Sequence, residues 1–352
     1  MRPEHDVRGR RLPASPLKSR SRLVLWLLVP AVAVLTLLSF WLGQYPVGPG
    51  QVLRVLADSW FGTRFSVPPI EQTVVLQVRL PEVLGALLVG AALAASGAGY
   101  QTMLRNPLVS PEILGVASGA AFGGAIAILA GLPAGALQVM AFAGGMLAAA
   151  LALGIARAVR GVSPTVLVLA GVVISTLFTA LISATEYFAN PNNTLPEITF
   201  WLFGSLDRAT TQGLEIPAAI VVVCLAGLVA VRWPLTVLAA GDDEARVLGV
   251  NRRLVWAVVI GAATLMTATV ISIAGVIGWV GLVVPHMARS LAGPGFGRLL
   301  AVSVFLGAGF LLAVEDVARA AVTIELPLGI LTALIGAPFF VVLLVRAGRQ
   351  WL

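Results

Sequence analysis

The sequence predicts an all-α polytopic membrane protein of about ten transmembrane helices, with its N- and C-termini cytoplasmic. Three observations carry that prediction. Of the 352 residues, 59% are apolar and only 11% charged, where a soluble domain carries about 25% charged residues. The apolar residues gather into runs near the ~20 residues that a helix needs to cross a bilayer. The basic residues flank those runs and divide unequally between their two sides, the mark of a membrane topology. An ordinary soluble enzyme, a disordered chain and a nucleic-acid binder are thereby excluded, and the net charge of +7 is a topology signal. The single cysteine, Cys224, lies within an apolar run, so no intrachain disulfide forms and the thiol reads as a small core residue. The only histidines, His5 and His286, have no metal-ligand spacing, and no metal site is expected.

Residues 1–22 read as a basic cytoplasmic tail with seven Lys and Arg, among them Arg2, Arg8 and Lys18. Residues 23–347 read as a single ten-helix transmembrane domain, and 348–352 as a cytoplasmic C-terminus. The first apolar run, 23–42, passes a conceivable signal-peptide site at Ala31-Val32-Ala33 and continues beyond it, so it reads as a first span. Further spans are expected near 82–103, 114–132, 136–157, 165–188, 214–232, 254–274, 278–292, 299–321 and 327–346. With this topology 18 of the 23 basic residues lie inside, including Arg105, Arg157, Arg160, Arg252, Arg289 and Arg349. The five outside are Arg54, Arg64, Arg79, Arg208 and Arg319, and moving one helix in or out would scramble the bias. Gly115, Gly119 and Gly123 recur every four residues, as do Ala94 and Ala98 near Gly90 and Gly97, a spacing that lets helix backbones approach closely in lipid. Residues 43–81 and 189–213 read as outer loops, the second with an amphipathic piece at 198–206 lying on the interface. Residues 238–253 form the largest inner loop.

Several chemistries are missing. The only lysine is Lys18, with no glycine at P-loop spacing before it, so this chain carries no Walker-type ATP site. Neither a His-Glu-x-x-His helix nor a Gly-x-Ser-x-Gly elbow occurs. Ion coupling usually demands ionisable groups within the membrane. Glu186, near a helix end, and Glu315 and Asp316, beside Arg319, are the candidates, with local pairing as their simpler explanation. The segment 241–250, GDDEARVLGV, reads as a short inner-face helix. Asp242, Asp243 and Glu244 occupy its first turn, where the helix dipole favours acids. Ala245, Val247 and Leu248 give it an apolar side. It suits docking into a partner groove, or serves as a surface helix capping the bundle.

Several segments, in order, resemble one family: RLPEVLGALLVGAALAASGAGYQ (79–101), RNPLVSPEILGVASGAA (105–121), LVLAGVVISTLFTALIS (167–183), FWLFGSL (200–206), GDDEARVLGV (241–250), AGVIGWVGLVVPHMAR (274–289) and ELPLGILTALIGAPFFVVLL (325–344). Over about residues 77–347 the chain is similar to the FecCD-type permeases of ABC importers for ferric siderophores, heme and cobalamin. The resemblance implies a ten-helix permease paired with a second copy or a paralogue, two ABC ATPase subunits below, an extracytoplasmic substrate-binding protein above, and a place in the bacterial inner membrane. ATP and magnesium would belong to the ATPase, and this chain would hold no cofactor and bind no nucleic acid. The expected cargo is an intact ferric siderophore, with heme or cobalamin as alternatives. An ion-coupled carrier and a non-transporting scaffold are the rival classes.

The resemblance also implies site residues. Gly241, Asp242, Asp243, Glu244, Ala245, Arg246, Leu248 and Gly249 match the helix that couples to the ATPase. Arg79 and Arg319 match arginines that grip the binding protein, and Glu82 stands where a further arginine is common. Asn106, Pro107 and Leu108, with Ser163, Pro164 and Thr165, match the cytoplasmic gate. His286, in the PH dipeptide, reads as structural.

Overall fold

The computed structural model describes residues 16–62, 67–159, 163–293, 295–321 and 326–348. The tail 1–15, Arg64, Arg160, Glu325, Arg349 and the last residues lie outside this description. The described residues are helical and contain no strand. In chain order the helices are α1 (Pro16–Ser39), α2 (Pro49–Phe61), α3 (Pro69–Thr73), α4 (Leu80–Met103), α5 (Val116–Leu129), α6 (Ala134–Ala158), α7 (Pro164–Phe188) and α8 (Thr194–Leu202). There follow α9 (Thr211–Ala230), α10 (Arg232–Ala240), α11 (Asp242–Val247), α12 (Arg252–Ala274), α13 (Val280–Ala292), α14 (Phe296–Ala321) and α15 (Leu328–Gly348). Helix α1 begins at Pro16, inside the stretch read as tail.

Among the described residues, six helical stretches are long and apolar enough to cross a membrane: Pro69–Met103, α6, α7, α9, α12 and Phe296–Ala320. Leu23–Ser39, α5 and Leu328–Val342 are shorter apolar helices. At 13 residues, α13 is about 20 Å long, well short of a ~30 Å hydrocarbon core. The expected spans 114–132 and 278–292 are thus shorter than anticipated. Each follows irregular backbone, a 3₁₀ turn at Pro111–Leu114 before α5 and the segment around Trp279 before α13. Irregular backbone at membrane depth is tolerated where protein buries it or a polar cavity adjoins it.

Helix α4 is the axis of the bundle. It is mostly buried and packs against α14, α12, α13 and α9, while α6, α7 and α9 leave most of their surface bare. The small-residue pattern explains the closeness. A Cβ at Gly90 would overlap the carbonyl of Gly307, and one at Gly307 that of Gly90. Gly119 of α5 and Gly144 of α6 repeat the arrangement. In lipid no water is released by such contacts, so dispersion between closely approaching backbones holds the helices together.

Two loops expected from the sequence are largely helical. Within 43–81 lie α2, α3 and a π-helical turn, Val74–Arg79, that runs without a break into α4. The turn answers a proline problem. Pro81 has no N–H to bond back to Gln77 and its ring crowds that carbonyl. Widening the helix relieves the crowding, and the Leu80 N–H bonds back five residues to the Val75 carbonyl. Polar residues disguised the helix, yet Glu71 and Arg79 are both buried, and Glu71 accepts a 2.7 Å hydrogen bond from Gln51. The amphipathic piece at 198–206 is also corrected. Ile198 and Trp201 of α8 are buried, and the Trp201 ring fills the space above Gly124 of α5, so α8 packs into the bundle instead of lying on the interface. Beyond it, Ser205 donates to the Ala274 carbonyl (2.9 Å), and Leu328 to that of Gly204 (2.8 Å), which satisfies this irregular backbone internally.

Gly307→Leu should force α4 and α14 apart and cost about 1–3 kcal/mol or more, the usual range for overpacking. Gly135→Leu, at a position where a Cβ meets nothing within 4 Å, serves as control. Thermal unfolding of both proteins in detergent checks this: a lowered midpoint for the first and an unchanged one for the second are expected.

Candidate functional site

At one end of the bundle, α10 stops at Gly241 and α11 starts at Asp242. A side chain at 241 would overlap the Glu244 carboxylate, which folds back over the helix start. Gly249, at φ 69°, closes the segment in the left-handed conformation that glycine adopts without strain. Asp242 is held from two sides. Arg105, just beyond α4, donates to it and also to the Leu238 carbonyl. Arg252, at the start of α12, donates to its other oxygen at 3.2 Å and stacks 4.7 Å from the Trp256 ring centroid.

The apolar side expected of this segment is divided. Ala245 turns inward and is buried, while Val247 and Leu248 point away from the bundle, 86% and 53% exposed. Asp243 and Arg246 form a 3.7 Å pair that is almost wholly exposed and so adds little stability. The segment is a short helix clamped at its base with an apolar knob on its free face.

The residues matched to a gate lie at the same end. Asn106 accepts the Leu108 N–H at 2.9 Å through its side chain, and Asn106, Pro107 and Leu108 are exposed. The loop then turns inward. Val109 is buried, and Gln101 donates to the Val109 and Leu282 carbonyls at 3.3 and 3.1 Å. Ser163 caps α7 by accepting the Val166 N–H at 3.2 Å, Pro164 takes the first helical position, where a missing N–H costs nothing, and Thr165 is exposed. Among the described residues no hydrogen bond or ion pair joins the two loops.

Arg79, Glu82 and Arg319 meet at the opposite end, but inside the bundle. Arg79 is 2% exposed and donates to the carbonyls of Phe40 (2.6 Å) and Tyr45 (2.5 Å) beyond α1. Arg319 donates to Glu82 (2.8 Å), to Asp316 (2.8 Å) and to the Ser39 carbonyl (2.9 Å). The Ser39 hydroxyl completes the cluster with a 2.6 Å bond to Asp316. The sequence expects Arg79 and Arg319 to face outward as grips for a binding protein; in the structure their side chains are buried and turned to partners within the chain. A buried guanidinium held by its own chain reaches a partner carboxylate only by breaking that network, and here only the Arg319 Nε–H is left buried without an acceptor among the described residues. The departure at position 82 supplies the reason, since Glu82 gives Arg319 an internal counter-charge where an arginine would repel it. Asp316, a candidate for ion coupling, is likewise committed.

A polar pocket escaped the sequence. The 3₁₀ turn Pro111–Leu114 presses on α7 so closely that a side chain at Gly171 would overlap the Ile113 carbonyl. Beside it opens a pocket of about 430 Å³ lined by Ser110, Glu112, Ser118, Ser175, Thr176 and Thr179, among others. Thr176 and Thr179 donate to their own helix, to the Val172 and Ser175 carbonyls, so only their oxygen lone pairs face the space. Glu112 has no hydrogen-bond or ion-pair partner among the described residues. Residues 172–179 lie about 12–22 Å along a helix roughly 37 Å long, so the pocket is at mid-depth. Such a group bared to lipid is expensive, and its surroundings must be polar or aqueous. The hydroxyl spacing on α7 was the available signal, but Ser and Thr bonded back to their own helix leave hydropathy almost unchanged. Among the described residues no group of His, Cys, Asp and Glu could hold a metal ion.

Comparison with known proteins follows this geometry. Residues 31–346 match the FecCD transport family. The chain is 37% identical over 327 residues to the molybdate import system permease protein MolB of Haemophilus influenzae, covering 93% of this chain and 96% of that protein. It is 41% identical to the cobalamin import system permease protein BtuC of Halobacterium salinarum, covering 80% and 76%. It is 39% identical to a probable iron chelatin transport system permease protein of Helicobacter pylori, covering 78% and 82%. The solved inward-facing structure of an ABC transporter described as of metal-chelate type superposes with a TM-score of 0.81 at 36% identity, over 92% of this chain and 99% of that one.

Arg319→Met leaves Glu82 and Asp316 without their shared cation. Breaking a buried pair by removing one partner typically costs about 3–5 kcal/mol, so the variant should unfold well below the parent on heating in detergent. Arg246→Met, at an exposed site, should not. Equal midpoints for parent and Arg319→Met would contradict the internal role of this cluster.

Proposed function

Because this chain belongs to the FecCD transport family, we propose that it is the permease subunit through which an ABC importer moves an intact metal chelate, a ferric siderophore in the first instance, into the cytoplasm. An ABC importer permease of this family is a multi-pass membrane protein. The proposal adds ten spans with both termini cytoplasmic, α11 on the cytoplasmic side, and a bacterial inner-membrane location. It also adds pairing with a second copy or paralogue, two ATPase subunits supplying ATP and magnesium, and a binding protein on the other face.

The observation that carries the cargo reading is the mid-depth pocket. It presents a carboxyl group, the lone pairs of Thr176 and Thr179 and the hydroxyls of Ser110, Ser118 and Ser175, and no cationic side chain among the described residues lines it. Such a lining suits a solute with N–H and O–H donors on its outside, as an organic chelate has. It suits a bare oxyanion poorly, because the Glu112 carboxyl stands beside the space with no cation among the described residues to offset a like charge. The clamped helix α11 supports the energy-coupling part. Val247 and Leu248 form an apolar knob of the kind a groove accepts, and the clamp through Asp242 would carry a push on that knob to Arg105. Arg105 begins the loop that ends in the Glu112 turn, so one short segment links docking helix and pocket.

Uptake by proteoliposomes holding permease and ATPase, with binding protein added, tests the assignment. ATP-dependent entry of a 55Fe-labelled siderophore is expected, and Glu112→Lys should lower it by about tenfold or more by adding a charge that repels donor groups. Uptake of molybdate, heme or cobalamin in its place would overturn the cargo. Uptake driven by an ion gradient without ATP would overturn the class. Val247→Asp should cut co-purification of the ATPase about tenfold, the cost of placing a charge in an apolar contact, and unchanged recovery would remove α11 from the docking surface.

A further inference from the structure

A groove between α6 and α12 belongs to none of the sites above. The two helices pack side by side, and α6 ends where α12 begins, at the α11 end of the bundle. Two cavities occupy the groove, of about 530 and 320 Å³, and they share Leu153, Arg157, Ala257 and Ile260. At the helix ends the first is ringed by Arg157, Arg252 and Arg253 with Trp256 beside them. The second continues toward mid-membrane over Met146, Ala149, Gly261 and Leu265. Small side chains make the hollow, and a Cβ at Gly261 would meet nothing within 4 Å. From Arg157 to Met146 the groove runs about 16 Å, close to half of a ~30 Å hydrocarbon core.

The charges at its mouth are unequal in commitment. Arg252 is bonded to Asp242 and stacked on Trp256. Arg157 and Arg253 have no hydrogen-bond or ion-pair partner among the described residues, and Asp242, the nearby acid, is already shared between Arg105 and Arg252. Two uncompensated guanidinium groups at the rim of an apolar slot one leaflet deep match one kind of molecule, with an anionic phosphate head and a hydrocarbon tail. The exposed flank of α6 makes bilayer lipid the available source.

We propose that the α6–α12 groove is a binding site for an anionic phospholipid, with the phosphate between Arg157 and Arg253 and one acyl chain along Met146, Ala149 and Gly261. A tryptophan at the mouth is in keeping with a place at the headgroup level.

Native mass spectrometry of the full chain in mild detergent, titrated with phosphatidylglycerol or with phosphatidylcholine of the same chains, tests it. The chain should retain phosphatidylglycerol preferentially. A basic residue near an anionic lipid surface gives about a fivefold preference, so Arg157→Gln with Arg253→Gln should reduce retention about twenty-five-fold. Gly261→Phe, which fills the tail slot and leaves the arginines, should release both lipids. Equal retention of the two lipids, or an unchanged preference in the double variant, would overturn the proposal. So would full displacement by millimolar inorganic phosphate, which would mark a phosphate site without a tail. Loss of ATPase co-purification with lipid preference intact would assign the arginines to the partner and overturn it as well. None of these readouts depends on the cargo.

Discussion

Charge buried inside a membrane protein must be answered locally, and that requirement organises one whole end of this molecule. Arg79 and Arg319 cannot reach water, so carbonyls beyond α1, the carboxylate of Glu82 at the head of α4, and Asp316 and Ser39 must surround them. Those partners come from three helices: the end of α1, the head of α4 and the last turns of α14. Satisfying two guanidinium groups therefore brings α1, α4 and α14 to one point. From there the glycine contact between α4 and α14 takes over, and the central pair is fixed at its end by charge and at its middle by backbone proximity. The helices around it have only to bury what this pair leaves open.

The other end follows a different economy. Asp242 binds two arginines, one just beyond α4 and one at the start of α12, but all three groups remain partly exposed, where ion pairs are weak and adjustable. A strongly neutralised, buried cluster opposes a looser, hydrated one. Only the second kind yields readily to an outside force. The polar turn with Glu112 lies between, on a loop tied at one side to Gln101 and at the other to Arg105.

How much of this was legible depended on whether one helix or several decided the matter. The span at 254–274 appears as Arg252–Ala274 because its apolar run and its Asn251 cap are local facts. The glycine pattern also foretold close packing, since small residues at that spacing have few other uses in lipid. The helix before Pro81 was hidden, because Glu71 and Arg79 look like loop residues until Gln51 and the Phe40 carbonyl are seen to answer them. Trp201 was misplaced for a similar reason, its site being the empty space over Gly124, 77 positions away in the chain. Resemblance named Arg79 and Arg319 for an outward role and said nothing of their internal partners, because a motif records position and not the groups that other helices bring across from it. The pocket was not visible from hydropathy, which scarcely registers hydroxyls bonded to their own helix.

The π-helical turn at Val74–Arg79 also sets a rotational phase. An α-helix advances about 100° per residue, and the widened turn accommodates what amounts to one residue more than an α-helix would hold. Above it Glu71 faces Gln51 of α2; below it Glu82 faces Arg319. With one residue fewer, those two faces would be out of step by roughly a quarter turn, and the outer cap and the central helix could not both keep their partners. The turn acts as an angular spacer, letting a single continuous helix serve two neighbours that lie in different directions.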